Sequence, residues 1–150
     1  MQAQTIDKSK DVFLYEFKTS YAELSPSQFL PGYCVLLSKI PYPSLNDMPL
    51  PERQDYLMEM GILGDAMMET LGCIRINYNI LGNSYPVLHA HLFPRYAWEE
   101  EEKRLTVVWR YDVSNWDSPL FSLAEHGEMK QRLAAAIDRR YRTFLEGVAK

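Results

Sequence analysis

From Ile74 to Phe93 the chain alternates apolar and polar positions on either side of a Gly82-Asn83-Ser84 bend, and a period of two admits only extended backbone. On the first arm Ile74, Ile76, Tyr78 and Ile80 share one face, with Arg75, Asn77 and Asn79 on the other. After the turn formers of 81–86, residues Val87 to Phe93 return to the extended pattern, so the two arms are expected to pair as a hairpin. Upstream the period changes. Met60, Leu63, Met67 and Leu71 recur at three- and four-residue steps, with Pro51 near the start and Gly72 just past the end, which predicts an amphipathic helix after the Pro-rich stretch 41–51. Val12–Phe17, Tyr21–Leu24 and Tyr33–Leu37 read as short strands. Met129, Leu133, Ile137, Tyr141 and Phe144 predict a C-terminal helix over about 122–147. Leu105–Tyr111 has strand propensity, and the run Glu99–Glu102 reads as a solvated loop or helix end. Strands, helix, hairpin, helix is the order of an α+β domain with a mainly antiparallel sheet.

A chain of 150 residues fits one domain (1–150), with a core over about 12–96 and a C-terminal extension. Its apolar share of 47% is enough for a real core, and its net charge of −4 argues against polymeric nucleic acid, whose backbone is gripped by a basic surplus. A small anionic ligand remains compatible, because a phosphate needs only a few N–H groups. Cys34 and Cys73 sit inside apolar runs without a CxxC spacing, so neither a disulfide framework nor structural zinc is expected. No run approaches the ~20 apolar residues of a membrane span, and no secretory leader is visible at the polar N-terminus. The expected location is cytoplasmic, with no membrane partner.

Chemistry concentrates in Gly82-Asn83-Ser84-Tyr85-Pro86-Val87-Leu88-His89-Ala90-His91-Leu92-Phe93-Pro94-Arg95. Strand parity places Val87, His89, His91 and Phe93 on one side, with the two histidines about 6–7 Å apart by strand rise. On spacing alone an HxH pair is open to three readings: capped structural imidazoles, two ligands of a metal site, or phosphorus chemistry. The neighbours weaken the metal reading. The first acid after His91 is Glu99, too far for a cupin-type site, and Leu92, Phe93 and Pro94 break an HxHxDH pattern. For phosphorus chemistry, Asn83, Ser84, His91 and backbone N–H groups could converge on the charge that builds on non-bridging oxygens, and Gly82 lets the chain approach closely.

The string from Asn77 through Arg95, with Gly-Asn-Ser ahead of His-x-His, two hydrophobic residues, Pro and Arg, resembles the signature of the histidine triad (HIT) family. Pro31-Gly32-Tyr33-Cys34-Val35-Leu36-Leu37 is similar to that family's entry into the strand before its long helix, so the resemblance spans about 20–96. It implies a five-stranded antiparallel sheet with two helices, usually dimeric, that binds nucleoside phosphates and cleaves at the α-phosphorus. Carried over residue by residue, it implies His89 as the nucleophile that forms a nucleotidyl-histidine and His91 as a phosphate and transition-state contact. Asn83, Ser84 and Asn77 fall at phosphate-contact positions, and Ser25 lies near a ribose-contact position. A small-molecule nucleotide such as a dinucleoside polyphosphate is the expected partner. No tightly bound cofactor or metal is expected, Mg2+ can accompany the substrate, and a homodimer is expected.

The departure is Val87, at the place of the family's first histidine. That side chain helps handle the leaving group, whereas the backbone carbonyl there fixes the nucleophile's tautomer, and valine keeps a carbonyl. Attack is therefore expected to survive while leaving-group protonation suffers; the alternatives are a nucleotide-binding protein with little turnover and a metal-dependent site on the HxH pair. Arg95 is open to a phosphate contact or an exposed surface role, the three tryptophans to a pocket or to packing, and His126 is expected to be exposed.

Overall fold

In the computed structural model, which describes residues 1–149, the strands and helices follow the order that the two periods predict. An antiparallel meander of β1 (Phe13–Glu16), β2 (Ser20–Leu24) and β3 (Cys34–Ser38) leads into α1 (Leu50–Leu71), and β4 (Arg75–Asn79) and β5 (His89–Arg95) follow it. β5 enters between β3 and β4, giving the sheet order β1-β2-β3-β5-β4 with each neighbouring pair antiparallel. This is the expected α+β fold: a five-stranded antiparallel sheet, a long helix and a C-terminal helix. Among the described residues, no helix is long and apolar enough to cross a membrane.

The ends of α1 are where its sequence puts them. Pro51 lies in the first turn, where a missing N–H breaks no intrahelical bond, and Gly72 ends the helix in the left-handed region at φ +70°. The buried face is wider than the predicted stripe: Tyr56, Glu59, Ile62 and Ala66 join Leu63 and Met67, while Met60 and Leu71 are only partly buried. A helix lying on a sheet with a second helix at its flank is covered over a broad arc. That second helix is α3 (Leu123–Ala149), which packs on α1 and β1 through Leu133, Ala136, Ile137 and Tyr141. Ser122-Leu-Ala-Glu125 has the spacing of a capping box, and Glu125 N–H donates to Ser122 Oγ at 3.2 Å. His126 is buried rather than exposed, because its Nδ1 accepts the Ser122 N–H at 3.1 Å and Phe121 stacks on its ring.

Gly32 sets the direction in which the chain enters β3. Its φ is +94°, and an added Cβ would meet Leu71 Cδ1 at 2.4 Å. Gly32→Ala should therefore destabilise the fold by about 2 kcal/mol, read from chemical denaturation. A change within experimental error would show that the entry tolerates a side chain.

The segment after β5 departs from the sequence reading. Arg95 and Glu99 are both buried and form an ion pair at 3.0 Å. Arg95 Nη1 also donates to Asn77 Oδ1 and the Thr106 carbonyl, each at 2.8 Å, and Nη2 donates to the Lys103 carbonyl at 2.8 Å. Glu99 accepts from Tyr96 N–H and from the Tyr111 hydroxyl, both at 2.7 Å. Only Glu100–Glu102 fit the solvated reading, and they lead into the single turn α2 (Glu101–Arg104). Leu105–Tyr111 is not a strand: the Thr106 carbonyl is taken by Arg95 and the Arg110 carbonyl by Lys103, and Val108–Arg110 closes a 3-10 turn. The clasp lays Trp109 and Trp116 over the sheet, with ring centroids 5.4 and 5.9 Å from Phe93.

Candidate active site

Residues directly opposite each other in an antiparallel pair project to the same face. α1 claims one face, where Tyr56 donates to the Leu36 carbonyl at 2.9 Å and Leu36 stands opposite Ala90. The other face carries the odd-numbered residues of β5. His89 stands opposite Leu37, His91 is flanked by Val35 and Asn79, and Phe93 is opposite Asn77. Both histidines are half-buried on this face, as parity predicts, and their rings lean together until the centroids are 4.9 Å apart at 74°.

The Nδ1 of His89 lies 2.6 Å from the Val87 carbonyl. A carbonyl only accepts, so Nδ1 carries the proton and Nε2 is left with its lone pair. The contact is made by the backbone of Val87, so it fixes the imidazole whatever side chain stands there. His89 lines a cavity of about 240 Å³ together with Gly82, Ile80, Leu81, Leu88 and the loop 43–46. Gly82 is in the left-handed region at φ +72°, which turns the chain tightly enough to bring the bend beside His89. Tyr85 reaches the same imidazole with ring centroids 5.7 Å apart.

His91 is held differently. Its Nδ1 lies 2.6 Å from the Tyr33 hydroxyl, the Phe93 ring lies parallel to it at 5.7 Å, and Trp109 meets it edge-on at 5.3 Å. Burial in this aromatic surround, and secondarily the neighbouring His89, push its pKa down to about 4, so at neutral pH it is an uncharged imidazole. Glu23, two strands away through the Val35 register and unpaired by any hydrogen bond among the described residues, is held above the usual glutamate range mainly by burial.

Of the residues singled out in the sequence, His89, His91 and Gly82 come together. Asn83 and Ser84 are exposed on the bend, and neither side chain makes a hydrogen bond among the described residues. Asn77 is placed opposite Phe93 with its amide oxygen held by Arg95; Asn79 is the strand amide opposite His91. Ser25 is buried at the end of β2, its Oγ accepting Ser27 N–H at 3.2 Å. Sequence reasoning gave Tyr33 and Asn79 no part in the site and left Trp109 open between a pocket and packing. Tyr33 and Asn79 were within reach of strand parity, whereas Trp109 depends on the Arg95–Glu99 clasp. As to metals, the described residues contain no group of three or more His, Cys, Asp or Glu side chains placed to hold an ion. A larger cavity of about 680 Å³ runs along β4 and 104–107 and is lined by neither histidine.

An antiparallel sheet of this order, backed by a long helix and carrying an HxH strand on its open face beside a glycine bend, defines a histidine triad class of protein. The family model described as HIT domain matches residues 7–98, and the chain belongs to the HIT family. Among solved structures, a histidine triad protein from Bradyrhizobium japonicum aligns with a TM-score of 0.71 at 16% identity, covering 91% of this chain and 99% of that one. A histidine triad protein from Marinobacter aquaeolei gives 0.68 at 22% identity, covering 85% and 88%. The diadenosine triphosphate hydrolase of Plasmodium falciparum, solved with cyclomarin A, gives 0.63 at 17% identity, covering 89% and 80%. A search of curated protein sequences finds no match.

Proposed function

We propose that this protein is a nucleotide hydrolase or nucleotidyl transferase that cleaves dinucleoside polyphosphates or similar nucleotides at the α-phosphorus through a covalent intermediate on His89. The observation that carries the reading is the Val87 carbonyl at 2.6 Å from His89 Nδ1, which leaves the Nε2 lone pair free beside the bend. In the first step that lone pair forms an N–P bond, while the P–O bond to the departing phosphate breaks and its electron pair leaves with the oxygen. Water then attacks the same phosphorus, releases a nucleoside monophosphate and restores the imidazole; another acceptor in place of water gives transfer. Asn83, Ser84 and His91 donate to the non-bridging oxygens. A strand contact falls to Asn79 more readily than to Asn77, whose oxygen Arg95 holds. The hydrolase named among the similar folds supports the substrate class.

Val87 cannot protonate a leaving group, so substrates should sort by leaving-group basicity. Diadenosine tetraphosphate is expected to be cleaved at least about tenfold faster than an adenosine phosphoramidate, because a polyphosphate leaves as an anion and an amine needs a proton. A panel in which the phosphoramidate is cleaved faster contradicts this. The same valine favours one competing reading, a nucleotide-binding protein with little turnover. Tight binding of diadenosine tetraphosphate without cleavage would select it. Homodimeric assembly, Mg2+ carried in with the substrate and a cytoplasmic location complete the proposal; the last is supported by two buried, unpaired cysteines.

A further inference from the structure

The open face of the sheet carries a glutamate that the proposed reaction has not used. Register sets two rows of side chains across this face. One row runs Phe13, Glu23, Val35, His91 and Asn79, and the other Tyr21, Leu37 and His89. Val35 and Leu37 are apolar and only half-buried, so on the β2 side of the histidines the face is floored by aliphatic surface that water still reaches. On the β4 side the position is Asn79, and towards the end of β5 Trp109 and Trp116 cover Phe93. The floor ends at Tyr21, with Lys39 Nζ 5.2 Å from its ring centroid, and at Glu23, with Phe13 opposite. Glu23 is half-buried and takes no hydrogen bond or ion pair among the described residues; the exposed Lys10 acts on it only from a distance. A carboxylate held there gives up part of its hydration and receives no donor in return, and burial raises its pKa accordingly.

We propose that Glu23 is a specificity-determining residue that selects guanine, reading the base of a nucleotide laid over Val35 and Leu37, so that the preferred substrate is a guanosine polyphosphate. The span fits. Glu23 lies two strand spacings from His91, about 10 Å, and a ribose and a base stand between the α-phosphorus of a nucleotide and the far edge of its purine. The two side chains of the floor give a flat ring apolar contact, and a convergent polar group at the rim then fixes which ring it is. A carboxylate accepts through both oxygens, and two parallel N–H donors satisfy it best. The pairing edge of guanine presents such a pair, N1–H beside the N2 amine. Adenine sets its N6 amine beside the N1 lone pair, which the second oxygen repels. Cytosine does the same with N4 and N3, and uracil places its one N–H between two carbonyls. The same carboxylate therefore attracts one base and opposes the others. This assignment rests on the function proposed above and deepens it by naming the base.

The test combines titration calorimetry of guanosine, inosine and adenosine monophosphates with kinetics on diguanosine and diadenosine tetraphosphates, for the native full chain and Glu23→Gln. The native protein is expected to bind the guanosine monophosphate at least about tenfold more tightly than the adenosine one, the scale of one hydrogen bond to a charged group. Inosine monophosphate, which lacks the N2 amine, should fall between them, and kcat/KM should show the same order for the two dinucleotides. Glutamine carries one acceptor and one donor and so complements the adenine edge. Glu23→Gln should therefore lose the preference for guanine and bind the adenosine monophosphate at least as well. A glutamate with a structural role alone would not exchange one base for another. Equal affinities for the guanosine and adenosine monophosphates in the native protein, or a guanine preference that Glu23→Gln leaves in place, overturns the assignment. Binding of none of the three overturns both the assignment and the nucleotide reading on which it rests. A guanine preference abolished by Glu23→Gln, in a protein that cleaves neither dinucleotide, would uphold the role of Glu23 and overturn the proposed hydrolysis.

Discussion

Replacing His89 with alanine is expected to lower hydrolysis of diadenosine tetraphosphate on the order of 10³-fold or more, while the affinity for nucleotide changes little. The reason is specific to the ring. In the proposed first step Nε2 takes phosphorus, whereas the proposed binding contacts are spread over the bend, Asn79 and His91. The imidazole is half-buried and its Nδ1 bond runs to a local carbonyl, so removing it should leave the fold intact. Rate and titration calorimetry together read the two effects apart. A residual rate within about tenfold of the native one would mean that water attacks without the histidine.

The largest effect on stability should come from Glu99→Ala. Glu99 is the sole carboxylate on the buried Arg95 guanidinium among the described residues, and removing it leaves a charge without its partner in the interior, at a cost of about 3–5 kcal/mol. Glu100→Ala, one residue on and exposed, should change stability by less than about 0.5 kcal/mol. Denaturant midpoints of the two variants compare them directly, and equal values would show that the clasp is dispensable. The same group gives an acid dependence. Burial by itself would raise the Glu99 carboxyl, but Arg95, Tyr96 N–H and the Tyr111 hydroxyl outweigh it and hold the group below its ordinary value of 4.5. A carboxyl depressed in the folded state contributes stability that is fully present above the unfolded value and is lost as pH falls through the lower folded one. The native protein should therefore lose stability below about pH 4.5, and Glu99→Ala should lose less over that window.

Much of the fold was legible because two periods suffice for it. Alternation over 74–80 and 87–93 became β4 and β5, the three- and four-residue steps became α1, and parity alone put His89 and His91 on one face. The tautomer of His89 was legible too, since a valine has the same carbonyl as a histidine. What stayed hidden depends on partners far away in sequence. Glu99 looks like its exposed neighbours until Arg95, Tyr96 and Tyr111 close around it. Leu105–Tyr111 looks like a strand until its carbonyls are taken by side chains, and Trp109 reaches His91 only as a result. Asn77 and Asn79 share a parity, so choosing between them needed the pairing register, which the turn 80–88 sets. Tyr33 read as one more aromatic at a strand entrance, because its hydroxyl gains meaning only once β5 lies beside β3.

The central claim is a bond between His89 and a nucleotide. Acid quenching during turnover of diadenosine tetraphosphate, followed by peptide mass spectrometry, should find an adenylyl group on the peptide carrying His89 in the native protein and none in His89→Ala. An adduct on another residue, or full-rate hydrolysis by the His89→Ala protein, would contradict it.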